Sequence, residues 1–101
     1  MGVPYADRKE AIRAVLKYCA LSGQTIRYGV LGKATGVPAR GPWKPVLDEI
    51  SREEQPDITF LVVNKDGLSS QIGFQKATPP TDAQRKMAND TIRDVYAHYR
   101  A

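Results

Sequence analysis

The chain has little of the chemistry that marks an enzyme or a metal protein. It carries one cysteine, Cys19, and one histidine, His98. A single thiol excludes an intramolecular disulfide and any thiolate metal cluster, and a lone imidazole excludes a histidine-rich metal site. No nucleophile–base–acid set, glycine-rich phosphate loop or paired-carboxylate spacing can be read from the order of residues. The expectation is a protein that is not an enzyme and that uses no cofactor and no metal.

Long hydrophobic runs are missing too. Nothing approaches the roughly 20 apolar residues of a membrane span. The opening Met1-Gly2-Val3-Pro4-Tyr5-Ala6-Asp7 has no basic stretch leading into an apolar one. Ala6 stands where a myristoylation signal needs Ser or Thr, so the cytoplasm is the expected location. Internal repeats and low-complexity tracts are absent. At 101 residues, 42% hydrophobic and 26% charged, residues 1–101 read as one folded domain around one core. The formal charge of +4 permits attraction to a polyanion without demanding it.

What is present is a clear order of elements. Ile12, Val15, Leu16 and Cys19 recur at i, i+3, i+4 and i+7, which predicts a helix over residues 6–21, closed by Gly23 as a left-handed cap. Cys19 on that stripe reads as a structural thiol. Asp7, Arg8, Lys9, Glu10, Arg13 and Lys17 cover the other faces with mixed signs, as a solvated surface does. A short bridging segment or brief strand at 24–27 precedes a second helix at 28–34. Gly29 and Gly32 each weaken that helix by up to about 1 kcal/mol relative to alanine, so it needs a close backbone neighbour.

Residues 37–42 form a turn, and a third helix is predicted over 45–54 with Pro45 at its first position. Trp43, Val46, Leu47 and Ile50 would be its core stripe. The β-branched run 57–64 reads as a strand, Asp66-Gly67 as a hairpin turn, and 68–74 as the returning strand. After a linker at 76–80, Thr81-Asp82-Ala83-Gln84 matches a capping box. It opens a last helix running to about residue 99, with Met87, Ala88, Ile92, Val95 and Tyr99 on one face. The fold class expected is α/β (α+β): a winged helix-turn-helix with an N-terminal helix, a β-hairpin wing and a C-terminal helix.

Charge is biased where that fold meets its partners. Residues 25–45 hold Arg27, Lys33, Arg40 and Lys44 and no acidic residue at all. Four cations on adjoining turns suit duplex DNA, whose phosphates release counterions when neutralised; the alternative is a solubilising patch. Tyr28 reads either as a hydroxyl for phosphate or as an aromatic staple. Lys65 at the expected wing tip is a further backbone contact, partly offset by Asp66. Asp48, Glu49 and Glu53 make the far half of the third helix acidic, which argues against laying it full-length in a groove. That face offers instead a surface for a basic protein partner.

The segment Tyr28-Gly29-Val30-Leu31-Gly32-Lys33-Ala34-Thr35-Gly36-Val37-Pro38-Ala39-Arg40 resembles the helix-turn-helix of O6-alkylguanine-DNA alkyltransferases and alkyltransferase-like proteins. The shared marks are Tyr28, Leu31 and Gly36-Val37-Pro38, and Val62-Val63-Asn64-Lys65-Asp66-Gly67 resembles the strand and turn after that family's reactive motif. The resemblance implies a winged-helix scaffold and DNA contact through Tyr28. Arg40 stands a few positions earlier than the family's arginine. Where the family reads Pro-Cys-His-Arg this chain reads Ile58-Thr59-Phe60-Leu61, so the resemblance excludes alkyl transfer. The function expected is non-catalytic DNA binding, with a protein-interaction adaptor or inhibitor as the alternative.

Overall fold

The computed structural model describes residues 3–64, 69 and 81–100. The chain enters through a 3-10 turn at Ala6–Arg8 and continues as α1, Lys9–Ser22. Ile12, Leu16 and Cys19 are buried and Val15 packs at the core's edge, as their spacing predicts. Gly23 ends the helix at φ 68°, a conformation that costs glycine nothing, and Gln24 N–H donates to Cys19 O at 2.9 Å. There follow β1 (Ile26–Arg27), α2 (Tyr28–Thr35), α3 (Trp43–Glu53), a 3-10 helix at Ile58–Leu61, β2 (Val62–Val63) and α4 (Asp82–Arg100).

The architecture is mixed α+β, mostly helical, with a two-stranded sheet. The strands run parallel, with Ile26 opposite Val62 and Arg27 opposite Val63. Ile12, Leu16, Leu31, Val46, Ile50, Leu61 and Val95 are wholly buried, so α1, α2, α3, α4 and the 3-10 helix share one core. Burial of that apolar surface, at about 25 cal/mol per Å², is the main stabilising contribution. The capping box is made in full. Thr81 N–H donates to Gln84 Oε1 at 2.9 Å and Gln84 N–H to Thr81 Oγ1 at 3.1 Å.

Several expectations need correction. The third helix begins at Trp43, so Pro45 is its third residue; proline is tolerated throughout the first turn, which only backbone geometry resolves. The run 57–64 is a strand only at Val62–Val63. Asp57 accepts hydrogen bonds from Thr59 N–H at 2.9 Å and from the Thr59 hydroxyl at 2.6 Å, closing a tight turn in place of extended chain. All four residues Ile58–Leu61 are buried, and an apolar run buried on every side has no period that separates strand from helix. β2 pairs in the described sheet with β1, a parallel partner that local pattern cannot show. The hairpin turn with Lys65, and the returning strand apart from Ser69, lie outside the described residues. Val63 makes an isolated antiparallel bridge to Ser69. Met87 is exposed, because Ala88 and Val95 carry the buried face of α4.

Candidate nucleic-acid interface

The elbow between α2 and α3 is built on a close approach. Gly36 takes φ 79°, and both its N–H and that of Val37 donate to Gly32 O, at 2.8 and 3.1 Å. This folds the chain back so tightly that a Cβ on Gly32 would lie 2.3 Å from the Val37 carbonyl oxygen. The close neighbour expected for Gly32 is therefore the elbow backbone and not α3 itself. Gly29 has no such neighbour; nothing would meet a Cβ there within 4 Å. Val37 then plugs the core, and Gly41 N–H closes a turn on Pro38 O at 2.9 Å.

Beyond the elbow the surface forms a groove of ≈ 420 Å³ lined by Tyr28, Ala39, Arg40, Trp43, Lys44 and the Gly41, Pro42 and Pro45 backbone turn. Trp43 is its floor. The residue is only 5% exposed, its indole N–H donates to Ala39 O at 3.1 Å, and the Tyr28 ring lies tilted against the indole at 5.6 Å. The core role expected of Trp43 is what the structure shows, and Tyr28 packs as an aromatic staple. No side-chain cap closes the N-terminus of α3. Pro42 and Pro45 have no N–H, which leaves those of Trp43 and Lys44 as its first-turn donors.

The structure brings Tyr28, Arg40 and Lys44 together on this groove. Arg27 and Lys33 are exposed at the two ends of α2 and do not line it. Lys65 lies outside the described residues. Lys44 Nζ is 3.0 Å from Asp48 Oδ2 one turn on, an exposed pair worth at most about 1 kcal/mol. An anion arriving at the groove meets a lysine that exchanges partners at little cost.

The other α3 carboxylates are turned away and bonded. Lys9 Nζ reaches Glu49 Oε1 at 3.1 Å and Glu53 Oε2 at 2.6 Å. Arg13 donates to Glu53, to Glu54 Oε2 at 2.7 Å and to Glu10 Oε1 at 3.1 Å. Tyr99 O–H donates to Glu54 Oε1 at 3.1 Å, tying in α4. The α1 cations are thus not a solvated face, as their mixed signs suggest, but the counter-charge of α3. Hydrogen bonds from Lys9 and Arg13 hold the Glu53 carboxyl below its usual range. Burial pushes Glu54 upward, and the bonds from Arg13 and Tyr99 outweigh it, leaving Glu54 lowered as well. Lys9 and Arg13 are raised correspondingly by the same bonds.

Two contributors have no signal in the sequence. The Tyr5 ring packs on Gly41, and the Arg8 guanidinium lies over Gly36, with its carbon 3.7 Å from where a Cβ would be. Only folding brings the first ten residues to the elbow. Cys19 is buried, which pushes its thiol up and keeps it unreactive. Among the described residues no cluster of histidine, cysteine and carboxylates could hold a metal ion, and no helix is long and apolar enough to cross a membrane. No family model, curated protein or solved structure matches the chain.

Proposed function

We propose that the protein is a non-catalytic DNA-binding module that grips the duplex backbone through the elbow and the first turn of α3, within a winged helix-turn-helix scaffold. One observation carries this reading. Tyr28, Arg40 and Lys44 line a single open groove at a helix start, while Glu49, Glu53 and Glu54 are occupied on the opposite side by Lys9, Arg13 and Lys17. Charge is thereby sorted, with cations outward at the elbow and carboxylates paired within the fold. Phosphate contact at the N-terminal end of a helix also gains from the free N–H groups and the helix dipole. Arg27 and Lys33, exposed on α2 and at its start, are further cations in this reading, and Lys65 is assigned to it from the sequence alone. The resemblance of residues 28–40 to alkyltransferase-type helix-turn-helices points the same way.

The rival reading, an adaptor or inhibitor that binds a basic protein through Asp48, Glu49 and Glu53, draws on carboxylates already bonded to Lys44, Lys9 and Arg13. Such a partner would have to displace these cations first. Titration of the full chain into labelled duplex, read by anisotropy, tests the DNA reading. With three or four phosphates neutralised, log K falls against log salt with a slope of about −3. Arg40→Glu with Lys44→Glu weakens binding to every sequence alike. Salt-independent binding, or an unaffected double variant, refutes the proposal.

A further inference from the structure

The segment ahead of α1 has an unusual backbone. Tyr5 is the one non-glycine residue among those described with positive φ, at 62°, ψ 26°. An aromatic residue is disfavoured there and stays only where its surroundings over-determine it, and such positions concentrate at binding sites. Three contacts hold the turn. Ala6 N–H donates to Val3 O at 3.1 Å and Arg8 N–H to Tyr5 O at 2.9 Å. The Tyr5 side chain presses on Gly41 so closely that a Cβ there would meet its hydroxyl oxygen at 2.7 Å and ring carbons at 2.9 and 3.0 Å. Gly41 is itself part of the groove wall.

This turn carries Arg8 to the other end of the elbow. Its guanidinium lies against Gly36, while its side chain is 51% exposed. Its ion pair among the described residues is a loose 3.8 Å contact with Asp7, which is itself 80% exposed. Lys9 and Arg13, next along the chain, are committed to the α3 carboxylates. Arg8 is the cation of this stretch left facing outward, and it faces outward beside the elbow.

We propose that the 3-10 turn Ala6–Arg8 is part of the DNA-binding surface. In this assignment Arg8 contacts a backbone phosphate at the Gly36 end of the elbow while Arg40 and Lys44 serve the Gly41 end. Tyr5 is the positioning residue, its strained backbone and seated ring fixing where Arg8 stands. A guanidinium suits this role, since its planar fork can lie on a glycine backbone and still present N–H donors to a phosphate. The inference rests on the DNA reading above and adds a contact that the elbow alone does not supply.

The test uses the full chain with a short labelled duplex, anisotropy being measured at several salt concentrations between about 50 and 200 mM. Arg8→Ala is expected to reduce the steepness of the salt dependence by about 0.9, one phosphate's worth, with the melting temperature unchanged. Arg8→Lys keeps the charge and retains most of the slope. Tyr5→Gly keeps the turn, because glycine takes this φ freely, but removes the ring. It should lower the slope as Arg8→Ala does, and the double variant should lower it no further. If Arg8→Ala binds with the wild-type slope while Arg40→Ala with Lys44→Ala does not, Arg8 lies outside the site and the DNA reading stands without it. If the wild-type chain itself shows no salt-dependent binding, the DNA reading fails and this assignment fails with it.

Discussion

Replacing Gly32 by alanine and, separately, Gly29 by alanine isolates the close approach that shapes the elbow. Both glycines lie in α2, one turn apart, and at each the helix favours alanine by up to about 1 kcal/mol. A methyl group on Gly29 meets no atom within 4 Å. Gly29→Ala should therefore stabilise the fold by about 0.5–1 kcal/mol. At Gly32 the same methyl lies 2.3 Å from the Val37 carbonyl oxygen, with Val37 C and Ala39 N at 3.5 and 3.6 Å. These are backbone atoms, so no rotamer change relieves the collision. Moving Val37 outward also stretches its 3.1 Å N–H bond to Gly32 O and lifts a buried side chain from the core. An overpacking cost of about 3 kcal/mol against a propensity gain of about 1 kcal/mol leaves a net loss of about 2 kcal/mol. In a domain of this size that lowers the melting temperature by about 10 °C. Urea unfolding, followed by far-ultraviolet circular dichroism and by Trp43 fluorescence, measures both variants. Equal effects at the two positions, or a neutral Gly32→Ala, would show that the elbow does not depend on this contact.

Other consequences concern the charges and the cap beneath the site. Glu53 and Glu54 titrate below their ordinary 4.5, so their stabilisation is present above that pH and is lost as pH falls through the lowered values. Lys9 titrates above its ordinary 10.5, and its share is present below that pH and lost as pH rises through the raised value. Urea midpoints should thus be flat from about pH 5 to 9 and fall on either side. In Arg13→Met the folded values move back toward 4.5, so the acid fall should be shallower and end at higher pH, and an unchanged acid limb would contradict the network. Asp57→Ala removes one carboxylate that accepts from Thr59 N–H, the Thr59 hydroxyl and, at 2.5 Å, the Ser51 hydroxyl. A loss of about 2 kcal/mol is expected by thermal unfolding, and a change within 0.5 kcal/mol would remove Asp57 as the cap of the 3-10 helix.

Local signals in the chain were legible because each is a short-range rule. The Ile12/Leu16/Cys19 stripe, the Gly23 cap, the Thr81–Gln84 box and the Val46/Leu47/Ile50 face all follow from spacing within one or two turns. Contacts between distant parts were not legible. Lys9 and Arg13 meet Glu49, Glu53 and Glu54 across some forty residues, and mixed charge along a helix looks the same whether water or another helix faces it. Ile58–Leu61 departs from the expected strand for a different reason. Its hydrophobicity registers burial, whereas its geometry is set by the Asp57 side chain competing for Thr59. Of the candidate site, Arg40 and Lys44 are legible as part of an acid-free basic stretch and Tyr28 through the helix-turn-helix resemblance; the contacts of Tyr5 and Arg8 with the elbow are not, since no local rule joins residues 5–8 to residues 36–41.

The groove and the core share residues, and this bears on how binding would respond to mutation. Trp43 is floor and core at once, and the Ala39 carbonyl accepts its indole N–H at 3.1 Å. That bond ties the elbow to the first turn of α3. A phosphate contact made by Arg40 or Lys44 then needs little backbone ordering on arrival, so affinity is set by charge and by how well the two side chains are placed. Trp43→Phe separates these effects. It keeps an aromatic ring but removes the donor and part of the volume, which should destabilise the fold by about 1–3 kcal/mol. The elbow is then less firmly placed, and duplex affinity should drop several-fold. No cation is removed, so the slope of log K against log salt should stay at about −3. Weaker binding with an unchanged slope identifies Trp43 as the support of the site. A slope reduced by about 1 would mean that the indole replacement displaces a cation, and that the groove is not held by its core residues in the way described.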